Sequence, residues 1–172
     1  MPYEQIDPMM IEVLPLAARK SLISIEEAAV DPAVPPPAAP AAAARIDALA
    51  ERILEARRRG AAVMLCYGAH LVKNGCSPLV NALIAEGFVT HAATQGAGII
   101  HDWEFAYQGA SSEHVREGVE AGSFGAWEET GFCLNLALLV RYGLPGTQQR
   151  PSRDNTGFHW RLSQKHFRES YL

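Results

Sequence analysis

Short apolar runs and helical stripes of apolar residues alternate along the middle of the chain. Residues 61–67 are continuously apolar and residues 88–94 are mostly so, and such runs are typical of strands that are covered on both faces. Between the two runs, apolar side chains recur at helical spacing at Leu79, Leu83 and Ile84. This order predicts a β-loop-α-β unit, and because a crossover of this length joins parallel strands, the two strands should be parallel neighbours.

Local signals define the ends of the predicted helices. Ser77 and Pro78 provide an N-cap and a first-turn proline for the central helix, and Gly87 ends it. A further helix is predicted before the first strand, and Gly60 ends it. Its signal is a set of apolar residues at helical spacing, namely Ile46, Leu49, Ile53 and Leu54. After the second strand, helices are predicted over residues 99–108, 112–120 and 127–141.

Composition divides the chain into four segments. Residues 1–31 form an N-terminal arm, in which Ser24 and the glutamates that follow it resemble a helix start. Residues 32–44 are almost entirely proline and alanine, which is typical of an extended linker. Residues 45–145 contain the predicted strands and helices, and residues 146–172 form a polar tail. We therefore expect one α/β domain that is preceded by an arm and a linker.

Charge and cysteine content exclude several classes of protein. The formal net charge of the 172 residues is −4, which argues against nucleic acid or an anionic membrane as a partner. No apolar run approaches the length that spans a bilayer, and the first 25 residues carry Glu4, Asp7 and Glu12, so we expect a cytoplasmic protein. The number of cysteines is three, an odd number that indicates reduced thiols rather than a disulfide framework.

Two glycine-containing turns follow the predicted strands, at residues 67–70 and 94–98. Each turn is followed by a helical pattern, so each directs backbone N–H groups and a partial positive charge toward the strand end. Small residues let a ligand approach the backbone closely. Because the carboxyl ends of neighbouring parallel strands meet at one edge of a sheet, the two turns predict one cradle for a phosphate group.

Histidines and one aspartate near these turns form a second candidate set. His70 and His101 begin the segments after the turns, Asp102 follows His101, and His91 lies in the second strand. These side chains are plausible ligands of a transition metal, and His101 with Asp102 can also serve in acid-base catalysis. The alternative is that His91 belongs to the sheet and that Asp102 only compensates a helix dipole. Lys73 can pair with a phosphate or, if desolvated, act as a nucleophile, and the alternative is a solvated loop lysine.

The combined motifs resemble the deoxyhypusine synthase family, especially its bacterial deoxyhypusine-synthase-like branch. The resemblance extends from about residue 61 to residue 135, and its motifs lie at residues 68–78, 89–102, 122–125 and 128–131. It implies a Rossmann-like parallel sheet flanked by helices, NAD as the cofactor, and an oligomer of identical subunits. It also implies a transferase that moves an aminobutyl group from spermidine or a similar polyamine, with a small polyamine or a protein lysine as acceptor.

The resemblance assigns roles to individual positions. His101 lies where NAD and the polyamine meet in the family, and NAD contacts are implied for Ala69, His70, Leu71, Val72, Lys73, Gln95, Gly96 and Ala97. Eukaryotic members carry a serine-asparagine pair in place of Ala69 and His70, and two glutamates in place of Ile100 and His101.

The catalytic lysine of the family belongs to a C-terminal half that this chain does not contain in recognisable form. Lys165 has none of the sequence context of that lysine, so we expect NAD binding without complete aminobutyl transfer by this chain alone. Two other functions remain open, a metal-dependent hydrolase that uses His70, His101 and Asp102, and a non-catalytic partner subunit of a full-length homologue.

Overall fold

The computed structural model of the chain describes Asp7 and residues 10–143. The described strands are β1 (Ile23–Ser24), β2 (Met64–Cys66), β3 (His91–Ala93) and β4 (Ala110–Ser111). The described helices are α1 (Ile25–Ala28), α2 (Ala43–Arg58), α3 (Ala69–Lys73), α4 (Ser77–Ala85), α5 (Gly96–Gln108), α6 (Val115–Glu120) and α7 (Glu128–Gly143), and a short 3-10 helix covers Leu16–Ala18. The predicted tail at residues 146–172 lies outside the described residues.

Strands β2 and β3 form the predicted parallel pair. Leu65 lies opposite Ala92, with one residue pair on either side in the same register, and α3 and α4 connect the strands. In the described part of the chain this sheet has two strands, and β1 and β4 form a second, antiparallel sheet of two strands. The α/β class is confirmed, and the sheets are small.

The prediction that both faces of the parallel strands are covered is wrong. Alternate side chains of both strands share one face, and the exposed ones are Met64, Cys66, His91 and Ala93. Leu65 and Ala92, on the other face, are half-buried. A continuous apolar run indicates a buried strand only where other elements cover both faces of the sheet. No described element covers the face that carries Met64 and His91.

Helix α6 begins three residues later than predicted, because the residues before it are held in another conformation. Ser112 has a φ of 69°, which is incompatible with a right-handed helix. The carboxylate of Glu113 accepts hydrogen bonds from Gly125 N and Trp127 Nε1, both at 3.0 Å. Helix α5 begins earlier than predicted, at Gly96, and the N-cap of α4 is Cys76 rather than Ser77.

The N-terminal arm contributes to the core. Ile25 packs with Val72 of α3 and Phe105 of α5, and Leu16 is completely buried. Ser24 is the N-cap of α1 and accepts a hydrogen bond from Glu26 N at 3.2 Å, as the sequence predicts. The arm therefore supports both helices that follow the glycine turns.

Gly75 allows the end of the arm to pass close to the α3–α4 turn. Val30 N donates to Gly75 O at 2.9 Å, and a Cβ atom at position 75 would overlap the backbone of Ala28. The φ of Gly75 is +77°, a backbone conformation that residues other than glycine rarely adopt. Residues 33–41, in the proline- and alanine-rich segment that follows, are exposed. None of the described helices is long and apolar enough to cross a membrane.

Candidate functional site

Helices α3 and α5 begin next to each other, at the carboxyl ends of the two parallel strands. Gly68 is the N-cap of α3 and Gln95 is the N-cap of α5. Tyr67 N donates to Ala93 O at 2.9 Å, so the backbone pairing continues beyond β2 into the first turn. The two helices then pack against each other. The structure thus brings together the two turns that the sequence singles out.

The backbone at both turns has free space beside it. A Cβ atom at Gly68 or at Gly96 would meet no heavy atom within 4 Å, and no side chain caps α3 at Gly68. In α5, the Gln95 side chain accepts a hydrogen bond from Ala97 N at 2.6 Å. At Gly98, in contrast, a Cβ atom would overlap the Thr94 side chain, so this glycine serves the close packing of turn and helix. We call the space beside the two turns the cleft.

The residues of α3 with implied NAD contacts differ in accessibility. His70 is exposed, and Leu71 and Lys73 are half-buried. Ala69 and Val72 are buried, and the Val72 side chain belongs to the core. The side chains of Ala69 and Val72 are therefore out of reach of a ligand in the cleft. On the other turn, Gln95 and Gly96 are exposed and Ala97 is half-buried.

His101 lies in the second turn of α5 and is half-buried. Its Nδ1 atom is 2.7 Å from Ser111 Oγ. Burial lowers the pKa of the imidazole below its ordinary value; the Glu104 carboxylate opposes this change, whereas Lys73, Arg19 and His70 contribute to it. Because burial disfavours the charged form of a histidine, His101 is neutral at neutral pH.

Glu104 is the centre of a buried polar network below His101. Its side chain is 1% exposed. Arg19 donates to both carboxylate oxygens, at 2.7 and 2.8 Å, Ser111 Oγ donates to Oε2 at 2.6 Å, and Thr130 Oγ1 donates to Oε1 at 3.1 Å. These contacts use the four acceptor positions of a carboxylate. The network joins the arm, α5, β4 and α7.

Tyr67, in the first turn, lies close enough to Asp102 of α5 for the two side chains to interact electrostatically. Burial raises the pKa of the Tyr67 hydroxyl, and the nearby Asp102 carboxylate raises it further. The phenol therefore stays protonated at neutral pH, and it can donate a hydrogen bond to an acidic ligand group. Asp102 itself is half-buried and places a negative charge on the same side of α5 as Tyr67.

The candidate metal ligands do not form a metal site in the part of the chain that the structure describes. In that part of the chain, no group of three or more His, Cys, Asp or Glu side chains could hold a metal ion. His91 is exposed on the open face of the sheet, where its Nδ1 atom lies 2.9 Å from Thr90 Oγ1. The alternative of a metal-dependent hydrolase therefore has no support from the geometry of these residues.

The network around Glu104 contains side chains that sequence reasoning missed, namely Arg19, Ser111 and Thr130. One signal for it does exist in the sequence, because Glu104 lies between Trp103 and Phe105 in an otherwise apolar part of the helix. A carboxylate in such a position is rarely buried without a partner. The partners are far away in sequence, and no local pattern identifies them.

Comparisons with known proteins find no matching family, no similar characterised protein and no similar solved structure.

Proposed function

We propose that this protein is a deoxyhypusine-synthase-like protein that binds NAD in the cleft beside Gly68 and Gly96. The observation that carries this proposal is the parallel pairing of β2 with β3, which brings the starts of α3 and α5 to the same edge. Two helix starts at one sheet edge direct N–H groups and partial positive charge toward that edge, which would stabilise a pyrophosphate there. The same arrangement underlies the Rossmann-like fold that the proposal includes.

Two features beside the cleft support the binding of a phosphate group. The open space at Gly68 and Gly96 lets a phosphate approach the backbone, and Lys73 adds a positive charge from α3. In the proposed complex, residues 69–73 and 95–97 hold NAD, largely through their backbone. When bound, NAD accepts a hydride from the substrate.

The proposed substrate is a polyamine such as spermidine, with a small polyamine or a protein lysine as acceptor. His101 and Asp102 lie beside the proposed cofactor segments, and a neutral imidazole next to a carboxylate suits an amine that must lose a proton. The proposal is limited to cofactor binding and oxidation of the amine, and it assigns no nucleophilic lysine to the described residues.

NAD should raise the melting temperature, because a ligand that binds only the folded state stabilises it. At about ten times the Kd the gain is about 1.4 kcal/mol, and for a chain of this size that corresponds to a shift of roughly 3–6 °C. The measurement is a thermal denaturation series with increasing NAD. No shift at about millimolar NAD contradicts the proposal, because it would place the Kd well above the usual cofactor range.

A glycine variant locates the binding site. Gly68→Val fills the open space at the first turn, and the extended backbone there, with φ −98° and ψ 178°, accommodates valine. We expect the variant to fold and to lose the NAD-dependent shift. Gly131→Ala in α7 is the matched control, since a Cβ atom there also meets no neighbour. A shift that survives in Gly68→Val would place NAD elsewhere.

The proposal includes association of the protein with copies of itself. In helix α7, Phe132 is 65% exposed and Leu139 is 69% exposed. A groove of about 380 Å³, lined by these side chains with Val13 and Leu136, runs along the helix. Apolar surface of this kind is typical of an interface between subunits. This groove is separate from the cleft, so association and NAD binding can be tested independently.

A further inference from the structure

We propose that Ser111 and Glu104 are positioning residues that fix His101 as its Nδ1–H tautomer, so that Nε2 accepts a proton from an ammonium or hydroxyl group of a ligand in the cleft. The ligand group is the amine of the proposed polyamine substrate, and to that extent the inference rests on the proposed function. The assignment of the tautomer depends only on contacts within the protein.

The direction of each hydrogen bond follows from the acceptor at the end of the chain of contacts. Glu104 receives two hydrogen bonds from Arg19 and one from Thr130, an arrangement that requires an ionised carboxylate. An ionised carboxylate only accepts hydrogen bonds, so Ser111 must donate its single hydroxyl proton to Glu104 across the 2.6 Å contact.

The Ser111 oxygen then has only acceptor positions left for His101. Because Nδ1 of His101 lies 2.7 Å from this oxygen, Nδ1 must carry the ring proton. The lone pair of the neutral ring therefore lies on Nε2. The shape of the imidazole ring directs this nitrogen away from Ser111.

The groups around His101 keep Nε2 available as an acceptor. Lys73 and His70 face the ring from α3, and Arg19 faces it from the arm. All three disfavour a positive charge on the His101 ring, whereas Glu104 favours one. A ligand ammonium or hydroxyl group can transfer its proton to Nε2. The N–H or O–H bond breaks, its electron pair stays on the ligand atom, and the ring becomes an imidazolium that is still held by Ser111 and Glu104.

The backbone around Ser111 is held firmly in place. Ser111 is completely buried in β4, where it pairs with Ile23 of the arm. Its neighbour Ser112 has a left-handed φ of 69°, a conformation that is unfavourable for a residue other than glycine. The Ser112 hydroxyl is buried and has no hydrogen-bond partner among the described residues. Two adjacent buried serines thus differ in role, since only Ser111 reaches the network.

The test is nitrogen NMR of the full chain labelled with ¹⁵N-histidine, without added ligand. At neutral pH we expect the His101 spectrum of an Nδ1–H tautomer, with Nε2 unprotonated. On acidification, the Nε2 resonance should move strongly and the Nδ1 resonance should stay almost constant. The exposed His114 on the same protein gives an internal reference. An Nε2–H tautomer in the wild-type protein overturns the proposal, whatever the result with NAD.

Two serine variants separate positioning from general packing. Ser111→Ala removes the acceptor for Nδ1–H, so the ratio of the two tautomers should shift toward Nε2–H by about tenfold, the effect of one hydrogen bond. Ser112→Ala, also buried, should leave the ratio unchanged. An unchanged ratio in folded Ser111→Ala, or an equal change in both variants, overturns the role of Ser111. Should Ser111→Ala not fold, the wild-type titration decides.

Discussion

At the scale of single residues, the buried pair of Arg19 and Glu104 links the arm to the site. Their side chains are 4% and 1% exposed, and the guanidinium also lies 5.6 Å from the centre of the Trp127 ring. The free energy that it costs to remove such a pair from water offsets much of the electrostatic attraction between the two charges. Removing one partner, however, leaves the other as an uncompensated buried charge. The pair therefore makes the body of the protein dependent on the arm.

Arg19→Met should lower the free energy of unfolding by about 3–5 kcal/mol, because it leaves the Glu104 carboxylate buried without its counter-ion. The measurement is equilibrium unfolding in urea. Arg59→Met is the matched control, since Arg59 pairs with Glu55 on α2 while 73% exposed, and its loss should cost at most about 0.5 kcal/mol. Equal losses in the two variants would show that the Arg19 pair is not buried as described.

The double variant Arg19→Met with Glu104→Gln completes the comparison. The double variant should lose less stability than the sum of the losses in the two single variants. With both charges removed, no isolated ion is left buried. Additive losses would contradict a direct interaction between the two side chains.

The lowered pKa of His101 predicts that stability depends on pH. The unfolded chain binds a proton at this residue with a pKa near the ordinary 6.5, and the folded chain binds it only at lower pH. Between these two values the unfolded state holds more protons, so the free energy of unfolding decreases as the pH falls. The full contribution is present above pH 6.5, and the decrease ends below the folded-state pKa.

Urea unfolding at several values from about pH 8 to about pH 5 measures this dependence. His101→Asn provides the reference, since its amide N–H can still donate to Ser111 but does not titrate. The wild-type protein should lose more stability on acidification than the variant. Identical pH dependence in both proteins would show that His101 is not buried in its neutral form.

At the scale of elements, helix α2 stands apart from the other long helices. None of its residues is buried, and its apolar side chains Ile46 and Leu49 are exposed. A helix of 16 residues is only marginally stable without tertiary packing. Helix α5, in contrast, buries Gly98, Glu104 and Phe105.

Amide hydrogen exchange should therefore differ sharply between these two helices. We expect the amides of α2 to exchange at rates close to those of an unstructured chain, and the amides of α5 to exchange only through openings of much higher free energy. Exchange followed by mass spectrometry on peptides from each helix measures both. Equal protection of α2 and α5 in dilute protein would mean that α2 is packed against another surface.

The sequence predicts those elements whose signals are local. The parallel pair, α2, α4 and α5 follow from apolar runs, helical spacing and terminal glycines, and their positions agree with the structure to within a few residues. The start of α6 is not predictable in this way, because Glu113 is held by hydrogen bonds from Gly125 and Trp127, more than ten positions away. Burial is also not local, and the open face of β2 and β3 depends on what lies beside it.

The candidate site divides along the same line. The adjacent glycine turns and the position of His101 beside them are predictable, because parallel strands bring their carboxyl ends together. The contact of Glu104 with Arg19 spans 85 positions in sequence, and no periodicity encodes it. Sequence reasoning therefore finds the cleft and misses the network that supports it.

At the scale of the whole molecule, the apolar face of α7 predicts association that depends on concentration. Sedimentation velocity over a range of protein concentrations measures it. Leu139→Glu places a charge at a position that is 69% exposed and should shift the equilibrium toward monomer, since burying an unpaired charge in an interface is unfavourable. Val119→Glu on α6, 61% exposed, is the matched control and should leave association unchanged.

A wild-type protein that stays monomeric at every concentration would contradict the proposed assembly. Association that persists in Leu139→Glu and is lost in Val119→Glu would move the interface to α6. Either result would leave the proposal for the cleft intact, because the groove on α7 and the glycine turns have no lining residue in common.

The path of the arm has a consequence for proteolysis. The proline- and alanine-rich stretch offers a protease an accessible backbone, yet the residues before it are anchored in the body by Leu16, by the Arg19 ion pair and by strand pairing with Ser111. A single cut there would yield a nicked protein whose two pieces stay bound without a peptide bond between them. The short piece would then behave as a detachable subunit, and its release would unfold the remainder.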